Sequence, residues 1–156
     1  MRNIVFLLFF VLTTMGVQSQ EKPVLLFPGG TPGETGKMKQ VDDLSGNKVA
    51  GCPVLRIGHV DEPTLPFYPA PAGNNKGTTI IVNPGGGYNI LAYNLEGSEI
   101  CKRFNSFGIN CVLVKYRVPR RERLEKHAAP LQDLQRAIAY TRAHAAEWQI
   151  DARRIG

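Results

Sequence analysis

The chain has 156 residues, a formal net charge of +6 and only three cysteines. That length is enough for one domain with its own core, but short of the roughly 200–250 residues that a large α/β domain usually needs. The bases are dispersed except for Arg117, Arg120, Arg121 and Arg123, with no aromatic residue interleaved to stack on bases. This argues against a nucleic-acid partner and reads as a solvated loop.

The first segment reads as a targeting signal. Arg2 supplies a positive start, Ile4 to Leu12 is almost unbroken apolar sequence, and Val17-Gln18-Ser19 fits a small-x-small cleavage site ahead of Gln20. The apolar run is shorter than the roughly 20 residues of a spanning helix, so cleavage is favoured over a retained anchor. The expectation is an exported protein, periplasmic or extracellular, with no stable membrane anchor and a signal peptide over residues 1–19.

Residues 20–53 are rich in Gly, Pro, Asp, Lys and Asn without sustained periodicity, and read as an irregular arm. Pro63, Pro66 and Pro69 then interrupt short apolar pieces, as edge strands tolerate. Thr78 to Val82 is a β-branched run of the kind that forms a buried parallel strand. It stops at Asn83-Pro84-Gly85-Gly86-Gly87-Tyr88. From Glu96 to Phe107 a helix is expected, with Ile100, Phe104 and Phe107 on its apolar face and Gly108 as its stop. Ile109 to Tyr116 reads as the next buried strand.

The clearest helix spans Pro130 to Trp148. Leu131, Leu134, Ile138, Thr141, Ala145 and Trp148 form its predicted core stripe. Asp151 to Gly156 reads as a turn leading into another strand. This strand–helix alternation predicts an α/β fold with a parallel sheet.

The cysteines Cys52, Cys101 and Cys111 show no C-x-x-C spacing, which argues against zinc or dithiol redox chemistry. They read as small buried apolar residues. One disulfide is allowed in an oxidising compartment, and the sequence does not choose its pair.

Chemistry concentrates at Gly85-Gly86-Gly87. Consecutive glycines let backbone approach a ligand and leave N–H groups free to face a cleft. Neither the dinucleotide pattern G-x-G-x-x-G nor the phosphate loop G-x-x-x-x-G-K-[ST] is present. Two readings remain, a tight structural turn and an anion-stabilising loop after a strand.

Four segments carry a family resemblance. Leu26-Phe27-Pro28-Gly29-Gly30-Thr31-Pro32-Gly33 resembles a Leu-Trp-Pro-x-Gly-x-Pro-Gly opening, and Asn83 to Tyr88 a Cys-Pro-Gly-Gly-Gly-Tyr loop. Gly97, Phe107-Gly108-Ile109 and Val114-Lys115-Tyr116-Arg117 are similar to a helix-to-strand passage. Ala129-Pro130-Leu131-Gln132-Asp133, Arg136-Ala137-Ile138 and Trp148-Gln149-Ile150-Asp151 with Arg154-Ile155-Gly156 are similar to the next helix and turn. Together they resemble exported bacterial α/β-hydrolases related to acetyl-xylan and feruloyl esterases.

The resemblance implies a serine esterase without metal or cofactor, acting on acetyl or aromatic esters of carbohydrates or other small molecules. It implies Gly85 and Gly86 as oxyanion-hole donors, and Gly87 and Tyr88 as residues shaping the cleft. It also implies a bracing pair between Asp133 and Arg117. A Gly-x-Ser-x-Gly elbow should follow Arg154-Ile155-Gly156, with Asp and His later still. No such elbow occurs in the sequence, and Ser19, Ser45, Ser98 and Ser106 do not fit one. His59, His127 and His144 lie outside the implied catalytic position. No triad member is therefore assigned. The expected fold is a partial doubly wound sheet ending before the elbow, with residues 54–156 as the N-terminal half of a hydrolase domain. The competing expectation is a non-catalytic exported binding or interaction module on the same half fold.

Overall fold

The computed structural model describes residues 22–36 and 38–156. The predicted signal peptide lies outside the described residues. The strands are β1 (Val24–Leu25), β2 (Val41–Asp43), β3 (Arg56–Gly58), β4 (Thr64–Leu65), β5 (Phe67–Tyr68), β6 (Thr79–Val82), β7 (Leu91–Ala92) and β8 (Asn110–Leu113). The helices are α1 (Glu99–Ser106), entered through a π-helical turn at Asn94–Ser98, and α2 (Ala128–Ala143).

The central unit is β6–α1–β8. Strands β6 and β8 pair in parallel, from Thr79 opposite Asn110 to Val82 opposite Leu113. All four β8 residues are buried, as expected of a strand covered on both faces. Strand β5 lies antiparallel on the other side of β8. On the outer side of β6, Ile155 bridges Thr79 in parallel, with Gly156 N donating to Thr79 O at 3.1 Å. The remaining strands form two small antiparallel sheets, β1–β4 and β2–β3–β7. The architecture is mixed α/β with small sheets. The expected parallel order appears in β6–α1–β8 and at Ile155, while all other pairings are antiparallel. The arm also carries β1 and β2, because residues around Val24 and Val41 find partners in β4 and β3.

The buried face of each helix departs in part from the predicted one, although Thr141, Ala145 and Trp148 of the predicted α2 stripe are buried as expected. In α1 the buried residues are Cys101 and Asn105, while Ile100 is 38% and Phe107 47% exposed. Cys101 is disulfide-bonded to Cys111 of β8, and Asn105 donates to the carbonyls of Tyr68 and Ile109. These polar and covalent ties set the rotation. Phe107 instead lies under the Arg103 guanidinium, 4.7 Å from ring centre.

In α2 the buried line is Ala129, Asp133, Ala137 and Thr141, continuing through Ala145 and Trp148 in the following turns. Leu131 is 46% exposed and Leu134 and Ile138 are half-buried. The helix ends at Ala143 rather than Trp148. Trp148 stacks on Phe67 at 4.5 Å between ring centroids, at the edge of the main core with Val112, Val114 and Ile150.

The rotation of α2 follows from Asp133. Its carboxylate is fully buried and meets Arg117, itself 1% exposed: Nε and Nη2 lie 2.9 and 2.8 Å from Oδ1, and the Arg117 backbone N donates to Oδ2 at 2.8 Å. The predicted bracing pair is thus present. Arg117 also donates to Pro32 O, Ala129 O and Gln132 Oε1. Neighbouring Arg121 binds Glu34, Asp61 and the Val60 carbonyl. The expectation of a solvated arginine loop fails for these two residues. The buried carboxylates of Asp61 and Asp133 and the half-buried Glu34 recruit them as partners, and only Arg120 and Arg123 remain exposed.

Breaking a buried pair leaves an uncompensated charge, so Asp133→Ala should cost about 3–5 kcal/mol of stability in urea unfolding. A loss below about 1 kcal/mol would mean that Arg117 rehydrates freely. Separately, Cys101→Ser should lower stability by about 2–4 kcal/mol. Cys52→Ser, at the exposed free thiol, should leave it unchanged.

Candidate functional site

The glycine loop begins where β6 ends. Its backbone is held by hydrogen bonds to three successive carbonyls. Pro84 O accepts from the Tyr116 hydroxyl at 2.6 Å, Gly85 O from Ala92 N at 2.9 Å, and Gly86 O from Asn89 N at 3.1 Å and Ile90 N at 3.4 Å. The last bonds close a turn whose central residues, Gly87 and Tyr88, have φ of 62° and 64°, as in a type I′ turn. Gly86 has φ of 146°, and a Cβ there would fall 1.9 Å from the Ile90 carbonyl oxygen. Only glycine fits at that position.

These carbonyl contacts orient the amides. In a trans peptide the N–H points opposite to the C=O. The Gly86 N–H therefore faces away from Ala92, and the Gly87 N–H away from Asn89 and Ile90. Neither amide has a hydrogen-bond partner among the described residues. Gly85 differs: its N–H donates to Glu96 Oε2 at 3.0 Å.

The loop forms one wall of a cavity of about 530 Å³. The start of α2 contributes Pro130, Leu131 and Leu134 to the lining, together with Asn83 and His127. Tyr88 and Tyr116 complete the lining. The structure thus brings together all four sequence-predicted residues, Gly85, Gly86, Gly87 and Tyr88. An apolar enclosure raises the strength of any hydrogen bond made inside it.

Tyr116, Glu96 and His127 escape sequence reasoning as site residues. Tyr116 lies at the end of a strand, where core packing is the default reading. Glu96 falls in a π-helical turn that no periodicity predicts, although such turns recur at functional sites. The other histidines are remote: His144 stacks on Tyr140, and His59 is exposed at φ of 55°. Among the described residues no group of three or more His, Cys, Asp or Glu is placed to hold a metal ion.

Burial pushes the Tyr116 phenol up to about 12, with Tyr88 and then Glu96 adding to the effect. The folded state favours the neutral phenol, which donates to Pro84 O. This contribution to stability is complete below about pH 10, the value of a free phenol, and is lost as pH rises through about 12. Tyr116→Phe should therefore be less stable than the parent by about 1 kcal/mol at pH 8. The gap in urea midpoints should close toward pH 12. A gap constant with pH would show that the hydroxyl is not the donor.

No family model matches the chain. The acetylxylan esterase of Xylanibacter ruminicola is 31% identical over 83 residues, 53% of this chain and 16% of that protein. Endo-1,4-beta-xylanase B of Butyrivibrio fibrisolvens is 29% identical over 76 residues, 49% of this chain and 12% of that protein. The chain thus spans well under half the length of these curated relatives. Among solved structures, an acetyl ester-xyloside bifunctional hydrolase from Caldicellulosiruptor lactoaceticus matches with a TM-score of 0.61 and 28% identity. That match covers 90% of this chain and 43% of the hydrolase. Apo Thermogutta terrifontis esterase 2 matches with a TM-score of 0.50 and 27% identity, over 62% of this chain and 36% of the esterase. By sequence and by structure, the chain is similar to part of ester-cleaving hydrolases.

Proposed function

We propose that the chain is the N-terminal half of an exported serine esterase that cleaves acetyl or aromatic esters on carbohydrates. The observation that carries this reading is the pair of unengaged N–H groups at Gly86 and Gly87 on an apolar cavity directly after β6. Attack on an ester carbonyl places negative charge on its oxygen. Backbone donors fixed beforehand stabilise that charge without reorganising, and each is worth about 3–4 kcal/mol in the transition state. Of the two glycines expected as donors, Gly86 keeps that role. Gly85 does so only if its N–H leaves Glu96.

Tyr88, Leu131 and Leu134 supply apolar walls for the acyl or alcohol group, which fits the acetylxylan and acetyl ester in the names of the relatives. Among the described residues no serine lines the cavity. In this reading the nucleophile, its base and its acid come from sequence beyond Gly156. The parallel bridge of Ile155 to Thr79 supports a continuation of the same sheet toward a doubly wound order. Residues 1–19 are the export signal, 20–53 the arm, and 54–156 the hydrolase half. The Cys101–Cys111 disulfide supports export, since such bonds persist in oxidising compartments.

The test is to sequence the gene past codon 156 and express the complete reading frame. A Gly-x-Ser-x-Gly elbow within about 15 codons and hydrolysis of 4-nitrophenyl acetate are expected. A stop codon with no elbow, or a full-length product inert on acetyl and aryl esters, overturns the reading.

A further inference from the structure

The contact between Glu96 and Gly85 is built from both sides. A Cβ on Gly85 would lie 2.4 Å from Glu96 Oε2, so the missing side chain admits the carboxylate. A Cβ on Gly97 would lie 2.9 Å from Leu113 and 3.1 Å from Pro84. The absent side chain there lets the π-helical turn press onto the residue that precedes the loop. The chain also enters this turn on fixed anchors: Asn94 receives Leu55 N and donates to Pro53 O, and Tyr93 N donates to Leu55 O.

Glu96 does not line the cavity, whereas Tyr116 does. The Pro84–Gly85 peptide is therefore gripped at both ends. Its carbonyl is held by Tyr116 on the cavity side, and its N–H by Glu96 on the other. With that plane fixed, and the next two carbonyls bound to Ala92 and to the 89–90 turn, the direction of each following amide is determined.

We propose that Glu96 is a positioning residue for the proposed ester hydrolysis. By taking the Gly85 N–H away from the cleft, its carboxylate fixes the loop so that Gly86 and Gly87, rather than Gly85, present the oxyanion donors. This assignment rests on the esterase reading above. It needs an acceptor of the right reach and not a negative charge as such. Glutamine at position 96 preserves the reach and the acceptor oxygen, while aspartate preserves the charge and falls short.

The experiment compares the product of the complete reading frame with its E96A, E96D and E96Q variants on 4-nitrophenyl acetate, alongside thermal unfolding. Glu96 is exposed, so all four should unfold at similar temperatures. E96A and E96D should lose kcat by about tenfold with KM within about twofold, as for a small misplacement of catalytic groups. E96Q should stay close to the parent. In nuclear magnetic resonance of the same full-length product, the Gly85 amide proton should exchange slowly in the parent and E96Q, and faster in E96A. An active parent whose E96A or E96D variant keeps its kcat, or whose E96Q variant loses as much as E96A, overturns the positioning role and leaves the esterase reading standing. An inactive parent overturns both. An unprotected Gly85 amide in the parent overturns the contact itself.

Discussion

A guanidinium survives burial only when its donors find oxygens, and Arg117 meets that condition with Asp133, Pro32, Ala129 and Gln132. The Asp133 carboxyl pulls in the opposite direction: burial raises it, and the hydrogen bonds and charge of Arg117 draw it back down. Such a pair is a costly choice compared with apolar packing. What it supplies here is placement. It joins the arm, the end of the central strand region and the first turn of α2 at a single point. It also decides which face of α2 looks inward.

That choice reaches the cleft. With Asp133 turned in, Leu131 and Leu134 cannot serve the core, and they line the cavity together with the glycine loop. Tyr116, one residue before Arg117, holds the loop itself through Pro84. Adjacent residues in extended backbone point to opposite sides. One step of chain therefore fixes both parts of the lining: residue 116 sets the backbone donors and residue 117 sets the apolar face. The separation between them is governed by β8 and its continuation, which is buried apart from the half-buried Lys115.

Much of this was legible in the sequence. The β-branched run at Thr79–Val82, the glycine loop, the helix stop at Gly108 and the proline-started helix near 130 all follow local rules, and each lies within a few residues of its expected position. The helix faces were legible only in part, at Thr141, Ala145 and Trp148, because hydrophobic periodicity assumes that apolar side chains decide the rotation. In α1 a disulfide and an asparagine decide it, and in α2 a buried carboxylate does. Arg121 looked like surface charge because its partners, Glu34 and Asp61, are far away in sequence. For the same reason Gly85 and Gly86 looked equivalent. Only a carboxylate eleven residues downstream separates them.

Trp148 is the sole tryptophan of the sequence. Its ring lies flat against Phe67, with Tyr140 and His144 within 6 Å of its centroid. The indole is thus a built-in optical gauge of one joint, where the turns after α2 meet the central sheet. Its emission reports loosening of that joint without any label, and an imidazolium nearby is an efficient quencher. A fluorescence trace taken while the arm or the loop is perturbed would show whether that joint moves with them or stays rigid.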